Sequence, residues 1–234
     1  SKNLKNQNNK KTKSPLKFLY NKEILYLIII GTVGLVIRLY YFPFNIPIID
    51  DGIDYFSYAV VSSQQGQLPV NWGLTNNGWP VFLSYFFSIF NSQNFLEFTY
   101  LQRSLTIIIS VLTIIPVYFL CKRFVNKKIA IISTTLFVFE PRIIINSLIG
   151  ITEPAYILLG TISLFLFLSK RFSIILISFF TLALCSIIRY EGFLLFIPFV
   201  IIFFIRFRKD KKIIKKIFLI IGIFFLTIAP MMFM

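Results

Sequence analysis

Long apolar stretches, separated by short polar segments, repeat along the chain from residue 24 to its end. Several approach the roughly 20 residues that a helix needs to cross about 30 Å of hydrocarbon. They predict an all-α integral membrane protein, a multi-pass helical bundle with about seven spans. Pro141 should bend or end the third span, because proline clashes with the preceding helical turn. The predicted spans cover residues 24–42, 101–120, 129–139, 152–169, 172–188, 193–205 and 217–234.

The segment from about residue 43 to residue 100 is predicted to be a long loop outside the membrane, because residues 64–77 are too polar to cross. Within this loop, the pattern from Tyr55 to Val60 indicates a short amphipathic helix. A second apolar piece, residues 79–90, is short for a span, and its Trp79 and Tyr85 suit a membrane surface. We therefore expect the loop to carry short interfacial helices.

Basic and acidic residues segregate to opposite sides of these predicted spans. The chain has 24 Lys and Arg and 9 Asp and Glu, and twenty of the basic residues lie on the side of the N-terminal tail. The positive-inside rule makes that side cytoplasmic and predicts an extracytoplasmic location for the opposite ends. On the extracytoplasmic side the only cations are arginines, and seven acidic residues accompany them: Arg38, Arg103, Arg142 and Arg189, with Asp50, Asp51, Asp54, Glu97, Glu140, Glu153 and Glu191.

Composition narrows the class of protein. A content of 57% hydrophobic residues and a mean hydropathy of +0.80 exclude an ordinary soluble domain. Residues 1–23 are predicted to be a disordered, basic cytosolic tail, and residues 24–234 a transmembrane module of the cell membrane. The last apolar stretch stops at the end of the chain, so we expect this to be the N-terminal part of a longer protein. The net charge of +15 lies in short tracts between apolar stretches, which argues against a nucleic-acid partner.

The extracytoplasmic charges lie at helix ends, where they could line one cavity. Ionisable groups near the membrane are costly and often functional. Transfer of a sugar from a lipid-linked phosphate to a hydroxyl would need a carboxylate as general base. It would also need a cation for the phosphate, and arginine suits this better than lysine because it contacts two oxygens at once. An apolar groove between helices would hold the lipid tail.

Simpler explanations of the same residues remain open. Glu140 with Arg142, and Arg189 with Glu191, could form ordinary ion pairs. Glu153 could serve only to begin a helix, where the helix dipole favours an anion. The first-loop aspartates could be a solvated cluster.

The order of these segments resembles the GT-C glycosyltransferases, multi-pass enzymes that use polyprenyl- or dolichyl-phosphate sugars. Asp50-Asp51 with Tyr55 and Ala59, after a first span, looks like the acidic motif of their first loop. Residues 78–83 are similar to their short helix at the membrane surface. The Glu140-Pro141-Arg142 segment, followed by Ser147 and Glu153-Pro154, looks like the junction of their third and fourth spans, and residues 189–192 are similar to a turn in prokaryotic members.

The resemblance implies an inverting transfer of a mannose-like hexose to a protein or glycolipid acceptor. It assigns catalysis to Asp50 and Asp51, without deciding which is the base. We further expect Arg38, Arg142 or Arg189 to hold the donor phosphate. The sugar or acceptor site is expected to include Asp54, Tyr55, Glu140, Glu153 and Glu191.

Other functions would fit the same pattern. The oligosaccharyltransferases share the architecture and need a divalent metal such as Mg²⁺ or Mn²⁺, which Asp50, Asp51 and Glu153 could bind through oxygen. The sugar-phosphate branch, which we favour, needs no cofactor. A transporter or flippase for a lipid-linked or anionic solute would also use charges within the membrane, and a structural subunit would use none. Zinc is not expected, because the chain has no His and only two separated Cys.

Overall fold

The fold is entirely helical in the part of the chain that the structure describes. The structure is a computed structural model, and it describes residues 22–49, 51–69, 72–73, 77–90, 92 and 94–232. Eleven helices and no strand occur in these residues. They are α1 (Lys22–Tyr40), α2 (Asp51–Gln65), α3 (Gly78–Ile89), α4 (Phe95–Leu112), α5 (Ile114–Cys121), α6 (Lys127–Val138), α7 (Pro141–Ile149), α8 (Glu153–Phe167), α9 (Phe172–Ile188), α10 (Gly192–Phe207) and α11 (Ile213–Met232).

Three helical segments among the described residues are long and apolar enough to cross a membrane: α1, the continuous stretch Phe95–Cys121 formed by α4 and α5, and Ile213–Met231 of α11. The bent pair α6 and α7 makes a fourth if it counts as one span. Helices α3, α8, α9 and α10 are apolar but have only 12 to 17 residues. This architecture fits a helical membrane protein, and the number of about seven spans stays a prediction.

The break in the third predicted span has the expected local cause. Helices α6 and α7 meet at an angle of 48°. Pro141 occupies the first turn of α7, where proline needs no hydrogen-bonded N–H. The Glu140 side chain caps α7 by accepting a hydrogen bond of 2.8 Å from the N–H of Ile143. Gly150 ends α7 at φ +83°, a left-handed conformation that glycine adopts without strain. Residues 141–149, which lie between the third and fourth predicted spans, are therefore a helix.

The helices pack around two apolar clusters. Phenylalanines dominate the first, between α8, α9, α10 and α11, where the rings of Phe196 and Phe224 stack with centroids 4.1 Å apart. The second cluster joins α2 and α3 to α8 through Phe56, Trp79 and Leu83. Outward faces are also apolar, as on α1, where among the described side chains only Gly34 and Arg38 are buried. Such faces suit contact with lipid.

Polar residues collect at two opposite ends of the bundle. We call residues 51–55, 150–153 and 189–191 the acidic end, and residues 122–128, 168–171 and 206–212 the basic end. Helix α8 runs from one to the other, beginning at Glu153 and ending at Phe167. Its 15 residues separate the two ends by roughly 22 Å at 1.5 Å per residue.

Candidate functional site

One arginine and two glutamates form the polar centre of the acidic end. Arg189 follows the last turn of α9, and its Nη1 donates to Oε1 of Glu153 at 2.5 Å. Its Nη2 donates to Oε1 of Glu191 at 2.7 Å, and its Nε lies 3.3 Å from both Glu191 oxygens. Nη1 also lies 3.3 Å from the hydroxyl of Thr152. We call Arg189, Glu153, Glu191 and Thr152 the arginine cluster.

The arginine cluster holds its charges in place at the protein surface. The hydrogen bonds to Glu191 raise the pKa of Arg189 above its ordinary value, and those from Arg189 lower the pKa of Glu191. The side chains of Arg189, Glu153 and Glu191 keep 28%, 28% and 32% of their surface exposed, so solvent and ligands reach them. With both carboxylates ionised, the three side chains carry a net charge of −1.

The first-loop helix α2 lies next to this cluster. Tyr55, in the second turn of α2, lies near Thr152 and experiences the charges of Asp51, Glu153 and Arg189. Burial is the main reason that the pKa of Tyr55 is raised. Asp51 is exposed in the first turn of α2, where the helix dipole favours an anion. Segments about a hundred residues apart in the chain thus meet at one place.

Gln102, in the middle of α4, connects the start of α2 to the segment that precedes Glu153. Its side-chain nitrogen donates to the carbonyl oxygens of Gly52 at 3.2 Å and Gly150 at 2.7 Å. The indole N–H of Trp79 donates to the same Gly150 carbonyl at 3.3 Å. A Cβ on Gly52 would lie 2.6 Å from a methyl group of Ile48, so only glycine permits this close approach. The start of α2 and the segment before Glu153 are therefore held by one side chain.

A large apolar cavity opens beside the arginine cluster. Its volume is about 480 Å³, and it lies between α3, α4, α8 and α9 with Met231 of α11 at one side. Ile188, which directly precedes Arg189, lines the cavity, and so does Ala155, two residues after Glu153. The rest of the lining includes Trp79, Phe82, Ile109, Leu158 and Leu184. A charged surface group and an apolar chain could therefore be held by adjoining parts of the protein.

Arg38 lies elsewhere, in the interior of the bundle. Its side chain is 0% exposed and donates to two hydroxyls, Ser147 and Ser110, at 3.1 Å each. It also donates to the carbonyls of Gly34 at 2.9 Å and Val138 at 3.3 Å. Val138 ends α6 and Ser147 lies in α7, so Arg38 joins both helices of the bent pair to α1 and α4. These bonds occupy its guanidinium with protein groups.

The other predicted site residues are placed as follows. Arg189, Glu153, Glu191 and Tyr55 come together, with Asp51 close by. Glu140 and Arg142 are exposed at the start of α7, where Glu140 caps the helix. Asp54 is exposed on α2. Asp50 and residues 1–21 lie outside the described residues, so the position of one predicted catalytic residue is not part of this geometry.

The structural roles of two buried polar residues of α4 were not predicted from the sequence. Gln102 is the second residue of the second predicted span, and a polar side chain inside a predicted span is a signal that could have identified it. Its neighbour Arg103 is 3% exposed and donates to the carbonyl of Ile46 at 2.6 Å and of Pro47 at 3.0 Å, which fixes the chain between α1 and α2. Trp79 was expected at the membrane surface, but it is 0% exposed and packs inside, whereas Tyr85 is 66% exposed.

Within the described ranges, which exclude Asp50, no group of three His, Cys, Asp or Glu side chains is arranged to hold a metal ion.

Fold and site together define an all-helical protein with several apolar helices that could span a membrane and one polar cluster beside an apolar cavity. No protein-family model, curated protein or solved structure matches this chain.

Proposed function

We propose that this protein is an inverting glycosyltransferase of the GT-C kind, which moves a hexose from a polyprenyl- or dolichyl-phosphate donor to a hydroxyl acceptor. The observation that carries the proposal is that residues next to the arginine cluster in the chain, Ile188 and Ala155, line the apolar cavity. A lipid-linked sugar phosphate has an apolar chain joined to an anionic group. In this protein, the cavity suited to an apolar chain adjoins the arginine suited to an anion. The proposal places the acidic end outside the cell and the basic end in the cytoplasm, with about seven spans.

The chemistry assigns separate roles to the two polar segments. Asp50 or Asp51 removes the proton from the acceptor hydroxyl as its oxygen bonds to the anomeric carbon. The bond from that carbon to the donor phosphate oxygen breaks, and the lipid phosphate leaves with the electron pair. Because attack and departure occur on opposite faces, the anomeric centre inverts. Arg189 stabilises the charge that develops on the leaving phosphate.

The arginine cluster carries a net negative charge, so a donor phosphate cannot simply be added to it. Both glutamates already pair with Arg189, and a phosphate therefore has to replace Glu153 or Glu191 as the partner of its guanidinium. The displaced carboxylate is then free to accept a hydrogen bond from a sugar hydroxyl. This exchange gives Glu153 and Glu191 a role in the sugar or acceptor site, and it gives Tyr55 and Thr152 neighbouring hydroxyls for the same purpose.

The test is hexose transfer from a radiolabelled polyprenyl-phosphate hexose by membranes that contain the full-length protein. Replacing Arg189 by Gln should lower kcat/KM by about 10²- to 10³-fold, the usual effect of removing one preorganised charge-stabilising group. Arg189→Lys, which keeps the charge but not the two-oxygen contact, should retain an intermediate rate. Equal rates for wild type and Arg189→Gln, in membranes with equal amounts of protein, would remove Arg189 from the mechanism.

Two observations favour a second candidate, a transporter or flippase for a lipid-linked or anionic solute. The apolar pair α6 and α7 is bent by 48°, as a broken span or a re-entrant loop would be, and Arg38 is a cation buried among helices. Discontinuous helices and intramembrane charges are common in transporters. In proteoliposomes a transporter would move the labelled lipid-linked sugar between leaflets without forming a glycosylated product, whereas a transferase would form product.

A further inference from the structure

The basic end is assembled from three separate loops that are fixed to one another. Helix α8 ends at Phe167, and the carbonyl groups around its end accept hydrogen bonds from Arg206 in the last turn of α10 and from Arg123 in the turn after α5. Arg206 donates to Phe167 at 2.9 Å and to Ser169 at 2.5 Å, and Arg123 donates to Leu168 at 3.3 Å. Cations suit this position because the helix dipole is negative there. The loops around residues 123, 169 and 206 therefore form one surface.

The charge of this surface is strongly one-sided. Segments 122–128, 168–171 and 206–212 contain eleven Lys and Arg and one acid, Asp210. Asp210 already pairs with Lys216 at 2.5 Å, and Glu23 of α1 pairs with Lys122 and Lys127. Among the described residues, Lys170, Arg171, Arg208 and Lys209 have no carboxylate partner, and all four are exposed. Their charges therefore remain available to a ligand.

Two exposed aromatic rings follow basic residues in the chain, one of them within this surface. Phe124 follows Arg123 in the turn between α5 and α6, and its side chain is 71% exposed. Phe218 on α11, which follows the pair Lys215 and Lys216, is 72% exposed. Large apolar side chains next to cations are typical of segments that lie at the boundary between lipid headgroups and acyl chains. Soluble anions give such rings no apolar contact, whereas a lipid does.

We propose that the basic end binds anionic phospholipids of the leaflet that it faces. Lys170, Arg171, Arg208 and Lys209 contact the headgroup phosphates, and Phe124 lies among the acyl chains. The recognised ligand is a phosphate monoanion joined to an apolar tail, at the end of the molecule opposite the arginine cluster. The proposal does not depend on glycosyl transfer, so either one can fail alone.

The test is the apparent dissociation constant for phosphatidylglycerol, measured by native mass spectrometry on the purified full-length protein in neutral detergent. Phosphatidylcholine and glycerol 3-phosphate serve as competitors, and they separate headgroup charge from acyl contact. Each basic residue near an anionic lipid surface contributes about fivefold in affinity. Arg171→Gln should therefore weaken phosphatidylglycerol binding about fivefold, whereas Arg171→Lys, which keeps the charge, should bind as the wild type does.

Three outcomes would overturn the proposal. Phosphatidylcholine could compete as well as phosphatidylglycerol, glycerol 3-phosphate could displace the lipid at the same concentration, or Arg171→Gln and Arg171→Lys could bind equally. Melting temperatures in the same detergent check that the variants fold. If Arg171→Gln does not fold, the pair Arg208→Gln and Arg208→Lys provides the same comparison with the same expected fivefold difference.

Discussion

Replacing Arg189 by Gln tests whether the arginine cluster is a real structural unit. The change removes contacts of 2.5 Å to Glu153 and 2.7 Å to Glu191, and it leaves these two carboxylates near each other without a cation. Fully exposed ion pairs contribute only about 0.2–1 kcal/mol each, and hydrogen bonds to charged groups contribute about 1.5–3 kcal/mol when buried. Because all three side chains are about one third exposed, we expect a loss of about 2 kcal/mol in the free energy of unfolding at neutral pH.

The pH dependence of stability gives a sharper signature. The folded protein lowers the pKa of Glu191 below its ordinary value of 4.5, so the unfolded chain takes up a proton first as pH falls. This group therefore contributes stability that is fully present above about pH 4.5 and is lost as pH falls through the pKa of the folded state. In Arg189→Gln the cause of the shift is gone, so the variant should lose less stability than the wild type between neutral pH and pH 3.

The assay is thermal unfolding in neutral detergent at several pH values between 3 and 7. A loss of about 2 kcal/mol corresponds to a fall in melting temperature of about 4–8 °C for a chain of this size. Arg189→Lys is the matched control. Its melting temperature should lie between those of the wild type and Arg189→Gln, because the charge remains. If Arg189→Gln has the melting temperature of the wild type at pH 7 and the same pH dependence, the arginine cluster does not contribute as described.

Three further substitutions test other parts of the account. Arg38→Met should lower the free energy of unfolding by about 2 kcal/mol, because two buried hydroxyls and a helix-end carbonyl lose their donor. Arg142→Met, at an exposed position, should have little effect in the same denaturation assay. Gln102→Met, which cannot hold the two loop carbonyls, should cost about 1–2 kcal/mol and also reduce kcat for hexose transfer. Leu158→Trp should narrow the apolar cavity and raise KM for the lipid-linked donor severalfold, and Leu164→Trp on an outward face of the same helix should leave KM unchanged.

Local features of the chain could be predicted well because they depend on neighbours in sequence. The predicted limits of α9, residues 172–188, agree with the structure. The break at Pro141 follows from the missing backbone N–H of proline, and the helix at residues 55–60 is present, although α2 extends to Gln65. The ion pair of Arg189 with Glu191, which the sequence left open as a simpler explanation of these residues, is present. Each of these depends on a few adjacent residues.

Features that depend on packing between residues far apart in the chain could not be predicted from the sequence. The meeting of Tyr55 with Thr152 and Arg189 is produced by Gln102, whose two hydrogen bonds link residues about fifty positions away on either side. Nothing in the local pattern distinguishes Arg38, which is buried and hydrogen-bonded to four protein groups, from Arg189, which is partly exposed. The apolar cavity likewise results from how α3, α4, α8 and α9 pack.

The most direct measurement is the rate of hexose transfer by first-loop variants of the full-length protein, with a radiolabelled polyprenyl-phosphate hexose as donor. We expect Asp50→Asn or Asp51→Asn to abolish transfer while the protein still inserts into membranes, because one of these carboxylates is proposed to be the base. Asp210→Asn, at the basic end, is the matched control and should transfer at the rate of the wild type. Full activity in both first-loop variants would contradict the account.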